Sequence, residues 1–288
     1  MTVITQTSRN LERIICAIGE LPSSPSVVNL VMGMTSDLNT DIRRISKTLS
    51  SDQSLTAKVL KLSNSSFYGR SKGVATLDEA ILILGFFTLR SLVVATATSA
   101  MFKNRDPESA EHKLWEHSLA TAMASRMIAA RVRPAVVEEA YIAGLMHDLG
   151  KLILLQKNPK DYGAIISEVE KSGGVFSELE LKAFGFTHSD LGQALLEKWS
   201  FPPELCDAIR DHHTTLRTIS NDAEQSLACI VNLANVISKK IGVGFKESVP
   251  EDLSKLESAR ALQFSKDDID KLEKRVAEAF SAEKHLFA

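Results

Sequence analysis

The sequence predicts an all-α protein made of two successive helical bundles. Three observations carry that expectation. Apolar residues recur at helical spacing along the whole chain, no segment sustains the period-2 alternation of a half-buried strand, and capping residues, prolines and glycines punctuate the periodic stretches. The polar stretch Lys103 to His112, which contains Pro107, is the natural boundary, so the bundles are placed at residues 1–108 and 109–288.

The first bundle opens with Leu11, Ile14, Ile15 and Ile18, a series ended by Leu21-Pro-Ser-Ser-Pro. Ser24 then caps with Pro25 at the first helical position, and Val27, Leu30, Val31 and Met34 share one face. Ile42, Ile45 and Leu49 mark a third helix. Asp52 caps a fourth that carries Leu55, Val59 and Leu62, and Asn64 to Gly73 reads as a loop. Thr76-Leu-Asp-Glu79 has capping-box spacing and opens the apolar stretch from Ala80 to Phe102. Arg90 in the middle of that stretch opposes insertion in a membrane, and two buried helices broken near Gly85 are expected instead.

In the second bundle, a helix around Trp115 to Ala130 precedes one opened by Pro134 that runs to Met146. Past Lys151 an apolar turn leads to Pro159 and a helix bearing Tyr162, Ile165, Ile166 and Val169, closed by Gly173-Gly174. Ser177-Glu-Leu-Glu180 and Thr187-His-Ser-Asp190 have capping-box spacing, the latter placing His188 in a first helical turn. Pro202 and Pro203 start a helix in which Leu205, Ile209 and His212 share a face. Leu227, Ile230, Val231 and Ala234 line the next, with Asn235 beside that face. Ser265 to Asp268 caps a last amphipathic helix with Ile269, Leu272 and Val276.

Composition narrows the function classes. With 34 basic and 36 acidic residues and a net charge of −2, the chain gives no electrostatic reason to expect nucleic acid or an acidic membrane as partner. Three scattered cysteines in apolar surroundings suit buried thiols in a reducing compartment, and the first residues lack the basic and apolar regions of a secretory signal, so the expected location is the cytoplasm.

The chemistry concentrates in the second bundle. His117 lies inside a helix, His147 and Asp148 form an adjacent pair at a helix end, His188 opens a helix, and His212-His213 form a further pair. Imidazole and carboxylate together suit iron, manganese or zinc. Two ions about 3.5–4 Å apart, bridged by a carboxylate such as Asp148, would generate a hydroxide and clamp a phosphate. Taken singly, His117 or His188 is more simply a hydrogen-bonded core histidine, and His112 and His285 read as surface residues.

The spacing of His117, His147-Asp148 and a later helical residue resembles the HD superfamily of metal-dependent phosphohydrolases. The stretches LSSDQSLTAKVLKLSNSSFYG, TLDEAILILGFFTLRSLVVATA, GLMHDLGKLIL and FTHSDLGQALLEKWSFPPELCDAIRDHH resemble the HDOD domain over about residues 18 to 240. The resemblance implies an all-α bacterial regulatory protein with an HD-like second bundle, in a family most of whose members are thought to have lost the catalytic HD residues. His188 and His212-His213 resemble the extra ligands of the related HD-GYP cyclic-dinucleotide phosphodiesterases. Carried over by position, His117, His147, Asp148 and Asn235 would hold one ion, and Asp148 with His188, His212 and His213 a second. Lys151 would meet a substrate phosphate, or else be a solvated charge at a helix end.

This chain departs from the motif in three places. Asn235 stands where the HD motif has an aspartate, no Gly-Tyr-Pro signature follows His213, and Lys113 occupies a position where one HD-GYP subset has a carboxylate. The expected function is therefore a signalling module that keeps an HD-type metal site and acts through a protein partner or a bound ligand. The alternative is a metal-dependent phosphohydrolase acting on nucleotides or cyclic dinucleotides, with Asp148 and Lys151 as its catalytic groups. A metal or redox sensor is a third reading.

Overall fold

A computed structural model describes residues 11, 14–16, 33–34, 41–50, 53–64, 74–104, 106–213 and 227–286. Among the described residues every regular element is a helix. Most of the expected first and second helices, the Asp52 cap, the side chains of Leu55 and Leu62, and the loop from 65 to 73 lie outside them. The chain divides into two compact units, one comprising 20–103 with 279–288 and the other 1–19 with 104–278.

In the unit containing residues 20–103, α1 (Ile42–Ser50) and α2 (Gln53–Ser63) pack on α3 (Leu77–Met101). Ile45, Leu49 and Val59 are fully buried, as their spacing requires. The expected capping box forms at the start of α3. Glu79 N donates to Thr76 Oγ1 at 3.2 Å, and the Glu79 carboxylate accepts from Thr76 N at 3.2 Å.

Helix α3 breaks at Gly85, whose φ of 75° and ψ of 169° lie where only glycine is unstrained. This helix is long and apolar enough to cross a membrane by composition, yet 56% of its most apolar window is buried in the folded chain. Arg90 is 5% exposed, with its guanidinium 5.3 Å from the Phe87 ring centroid. The break at Gly85 is as expected and the helix is buried from Leu89 to Ala95, but Leu82 and Phe87 on either side of the break are 69% and 57% exposed, so the first half is not the buried helix expected.

In the other unit, α4 (Ala110–Val132) runs along α5 (Val137–Met146) and α11 (Leu227–Lys240). Its inner face carries many small residues, among them Ala120, Ala122, Ala124 and Ser125, all buried, which lets the neighbouring helices approach closely. Pro134 opens a single 3-10 turn, Pro134–Val136, ahead of α5.

After α5 the chain bends at Asp148 and enters α6 (Leu149–Lys157). The apolar turn expected past Lys151 is thus a helix, because Leu149, Leu152, Ile153 and Leu154 all find buried positions at helical spacing. Helix α7 (Pro159–Ser172) buries Tyr162, Ile165, Ile166 and Val169 and ends at left-handed Gly173.

Helix α8 (Phe176–Phe184) is capped by Val175 with no side-chain hydrogen bond, so Ser177 and Glu180 do not form the expected capping box. The helix starts earlier because Phe176 packs inward, 5.7 Å from Phe245 between ring centroids, and Glu180 is drawn into the interior. The boxes at Thr187/Asp190, opening α9 (His188–Lys198), and at Ser265/Asp268 both form. Helix α10 (Pro203–Asp211) follows, with Leu205 and Ile209 buried. After α11 come the short α12 (Glu257–Ala261) and the amphipathic α13 (Lys266–Glu283). Arg131 of α4 ties down the start of α13 through Asp268 at 2.8 Å.

Candidate metal centre

Asp148 sits in the joint between α5 and α6, with φ of −103° and ψ of 13°, so its side chain leaves the helical path and enters the centre of the unit. Its two oxygens face different partners. Oδ2 lies 3.3 Å from His147 Nε2 and 3.6 Å from His117 Nε2, whereas Oδ1 lies 3.3 Å from His188 Nε2 and 3.8 Å from His212 Nε2. The side chains of His117, His147 and Asp148 form one group with ligand atoms within 4.8 Å of one another, and those of Asp148, His188, His212 and His213 form another.

Each inward-facing ring is fixed from behind. His147 Nδ1 is 2.7 Å from the Gly144 carbonyl, His212 Nδ1 is 2.6 Å from the Ile209 carbonyl, and His117 Nδ1 is 3.2 Å from the Val243 carbonyl. His188 Nδ1 is 2.6 Å from the Glu180 carboxylate. These are acceptors, so Nδ1 of His147, His188 and His212 donates and a neutral ring then presents a bare Nε2 lone pair to the interior, whereas His117 faces an acceptor at both nitrogens, the Val243 carbonyl and Asn235 Oδ1. His147 Nε2, His212 Nε2 and Asp148 Oδ1 have no aligned hydrogen-bond partner, although all are buried.

Lone pairs converging on a carboxylate repel unless cations lie among them, and Lys151, with its Nζ 2.9 Å from Asp148 Oδ2, supplies one positive charge. Protonating His117 or His212 is one further remedy, but burial and the neighbouring His147 push His117 down from 6.5 to about 3, and burial with His147 and His188 pushes His212 well below its ordinary value. The other remedy is a metal ion, which this set of imidazoles and one carboxylate fits.

Asp148 itself stays ionised. Burial alone would raise it, yet His147 and Lys151 outweigh burial and hold it well below the usual carboxylate range. Lys151 is 1% exposed, its Nζ is 2.9 Å from Asp148 Oδ2 and 4.3 Å from the Phe176 ring centroid. It is therefore no solvated helix-end charge. The position is buried because Gly150 lets the start of α6 lie against the first turn of α9; a Cβ there would run into the His188 carbonyl.

The remaining positions singled out in the sequence divide clearly. Asn235 on α11 is 1% exposed and its Oδ1 is 3.1 Å from His117 Nε2, so it joins the first group. His213 Nε2 is 3.0 Å from His188 Nε2, although the residue as a whole is exposed. His112 is partly buried near Glu116, at 3.6 Å, and His285 is exposed; neither reaches the cluster. Lys113 lies 3.3 Å from Glu170.

Three further residues frame the centre and leave little trace in the sequence pattern. Glu180 reaches His188 from α8, while Lys239 and Glu247 form an ion pair of 2.7 Å. Glu247 follows the segment that carries Val243 and left-handed Gly244, where φ is 102° and a Cβ would come within 2.9 Å of His117 Cβ. Lys239 stands one turn after Asn235 on α11, a spacing that could have drawn attention to it. Glu180 and Glu247 have no such marker.

Comparison with known proteins identifies the family and the fold. The family model of the HDOD domain matches residues 21–215. The chain belongs to the HDOD family. An HDOD domain protein with unknown function from Geobacter sulfurreducens shares its fold with a TM-score of 0.82 and 26% identity, covering 96% of this chain and 97% of that one. A candidate phosphohydrolase from Shewanella amazonensis SB2B has a TM-score of 0.73 at 22% identity over 96% and 97% of the two chains. A candidate signal transduction protein from Marinobacter aquaeolei VT8 has a TM-score of 0.74 at 20% identity, covering 98% of this HDOD chain and 65% of that protein. An uncharacterized protein of Treponema pallidum (strain Nichols) is 25% identical over 211 residues, which is 73% of this chain and 40% of that relative's length.

Proposed function

We propose that this HDOD protein is a cytoplasmic bacterial signalling module that holds one or two divalent first-row ions, iron, manganese or zinc, and acts by binding a protein partner or a small ligand. The supporting observation is Asp148, a buried carboxylate with two His Nε2 atoms facing each oxygen, no hydrogen-bond donor on Oδ1 and only Lys151 beside Oδ2. His117, His147, Asp148 and Asn235 would hold one ion, and Asp148, His188, His212 and His213 the other. Lys151 offsets the charge of Asp148 when fewer ions are bound.

Two features favour regulation over turnover. Asn235 leaves Asp148 as the only carboxylate in the proposed ligand set, and a neutral amide is a weaker ligand than an ionised one. His147, His188 and His212 are each 0% exposed and only His213 of the proposed ligands reaches the surface, whereas a catalytic metal keeps an open position for substrate.

The second reading is a phosphohydrolase acting on a nucleotide or cyclic dinucleotide, and Lys151 is what favours it, since its ammonium lies beside Asp148 where an anionic oxygen would approach the ions. Bound ions of this kind supply a polarising charge and a hydroxide. Lys151 would then orient the phosphate, and the Nδ1 contacts would keep the rings in one tautomer.

The test is to measure metal in protein purified without a histidine tag, restore the metal found, and assay phosphodiester hydrolysis over a panel of nucleotides. Stoichiometric metal without turnover supports the signalling reading. Turnover abolished by Asp148→Ala supports the phosphohydrolase.

A further inference from the structure

Glu180 is a carboxylate with no access to solvent, at 0% exposed, in a unit that gains nothing from burying a charge unless it is fully partnered. Its partners come from two other helices. Tyr162 Oη of α7 donates to Oε1 at 2.6 Å, while the backbone N of His188 donates to Oε2 at 2.8 Å and His188 Nδ1 donates to the same oxygen at 2.6 Å. The chain Tyr162–Glu180–His188–Asp148 therefore runs from α7 to the carboxylate at the middle of the centre.

The two halves of the centre differ in this respect. His117, His147 and His212 each rest their Nδ1 on a neutral backbone carbonyl, and His188 rests its Nδ1 on a carboxylate. A charged acceptor fixes the tautomer more firmly than a carbonyl and makes the opposite nitrogen a better electron donor. The His188 half also has three imidazoles with Asp148, whereas the His117 half has two with Asp148 and the neutral Asn235.

We infer that Glu180, held by Tyr162, is a positioning residue that makes the Asp148–His188–His212–His213 half the tighter of two unequal metal sites. The inference rests on the reading that the centre takes metal, and adds that its ions bind in a fixed order, the Glu180-backed half filling first.

The experiment is a cobalt(II) titration of the full chain against a chelator of known affinity. Wild type, Glu180→Gln, Glu180→Asp and Tyr162→Phe are followed by the visible absorption of the bound ion and by urea unfolding of the chelated protein. The wild type is expected to bind cobalt in two unequal steps. Glu180→Gln should weaken the tighter step about 10–100-fold and alter its spectrum while leaving the weaker step in place. Glu180→Asp, which keeps the charge, should recover part of the loss, and Tyr162→Phe should shift the tighter step by less than Glu180→Gln does.

Should Glu180→Gln not fold, Tyr162→Phe decides: a selective change in the tighter step supports the inference, and no change, or an equal change in both steps, overturns it. A purely structural Glu180 would lower the stability of the chelated protein with cobalt affinity and spectrum unchanged, which overturns the inference and leaves the metal reading standing. Wild type that takes up no cobalt overturns the metal reading itself, and this inference with it.

Discussion

Lys151 brings its ammonium to 2.9 Å from Asp148 Oδ2, and the two side chains are 2% and 1% exposed. Burial alone would lower Lys151, but Asp148, then Glu247 and Glu180, hold it charged. In the metal-free protein this lysine is the cation nearest the carboxylate among the described residues. Lys151→Met should therefore cost the metal-free protein roughly 3–5 kcal/mol, the scale for removing one member of a buried pair. The loss should be smaller in protein loaded with metal, where the ions supply the missing charge. Urea unfolding with and without chelator measures both values.

Gly150→Ala places a Cβ against the His188 carbonyl, a backbone atom that cannot turn aside. Helices α6 and α9 must separate, so a loss of about 1–3 kcal/mol or more is expected. Metal uptake by the His188 half should fall with it. Thermal unfolding and metal analysis of the same sample test the two effects together.

The chelated protein should lose stability on acidification well above the range where carboxylates titrate. His117 has its folded value pushed from 6.5 down to about 3 by burial and by His147. Its contribution is complete above pH 6.5 and is lost as pH falls from there toward 3, because the unfolded chain binds the proton first. His212 is depressed in the same direction and adds to the slope. The urea midpoint should fall steadily between pH 7 and pH 4.5, and His117→Gln should flatten that fall.

Asn235→Asp restores a carboxylate beside His117 and 1% exposed, within reach of the same ring nitrogen that Asn235 faces at 3.1 Å. Ions bound per chain should rise toward two. The chelated variant should be less stable than wild type, since a second negative charge then lies near Asp148 without a counter-ion. Metal analysis and chelated unfolding read the two outcomes.

Much of the helical architecture was legible in the sequence because local chemistry decides it. The Thr76, Thr187 and Ser265 boxes, the break at Gly85 and the stop at Gly173 each follow from side chains acting on their own backbone. The six histidine and aspartate positions expected to act together do lie together, because each is delivered by a helix end or an inward helical face.

What escaped is set by tertiary contact. Glu180 has the spacing of a cap, yet its carboxylate gains three partners across helices that a local cap could not match. The stretch after Lys151 reads as an apolar turn in the sequence and is a helix because α9 and α7 supply surfaces to cover it. The roles of Val243 and Glu247 depend on a loop folding over His117, and no periodicity encodes that.

The central claim is that Asp148 joins two groups of metal ligands. It is tested most directly by the metal content of untagged wild-type protein and Asp148→Ala, both purified without added chelator. Wild type should carry one to two equivalents of a first-row ion, and the variant should carry almost none while keeping its helical circular dichroism. Metal-free wild type that also fails to bind iron, manganese or zinc when supplied, or a folded variant that retains the full wild-type content, would contradict the claim.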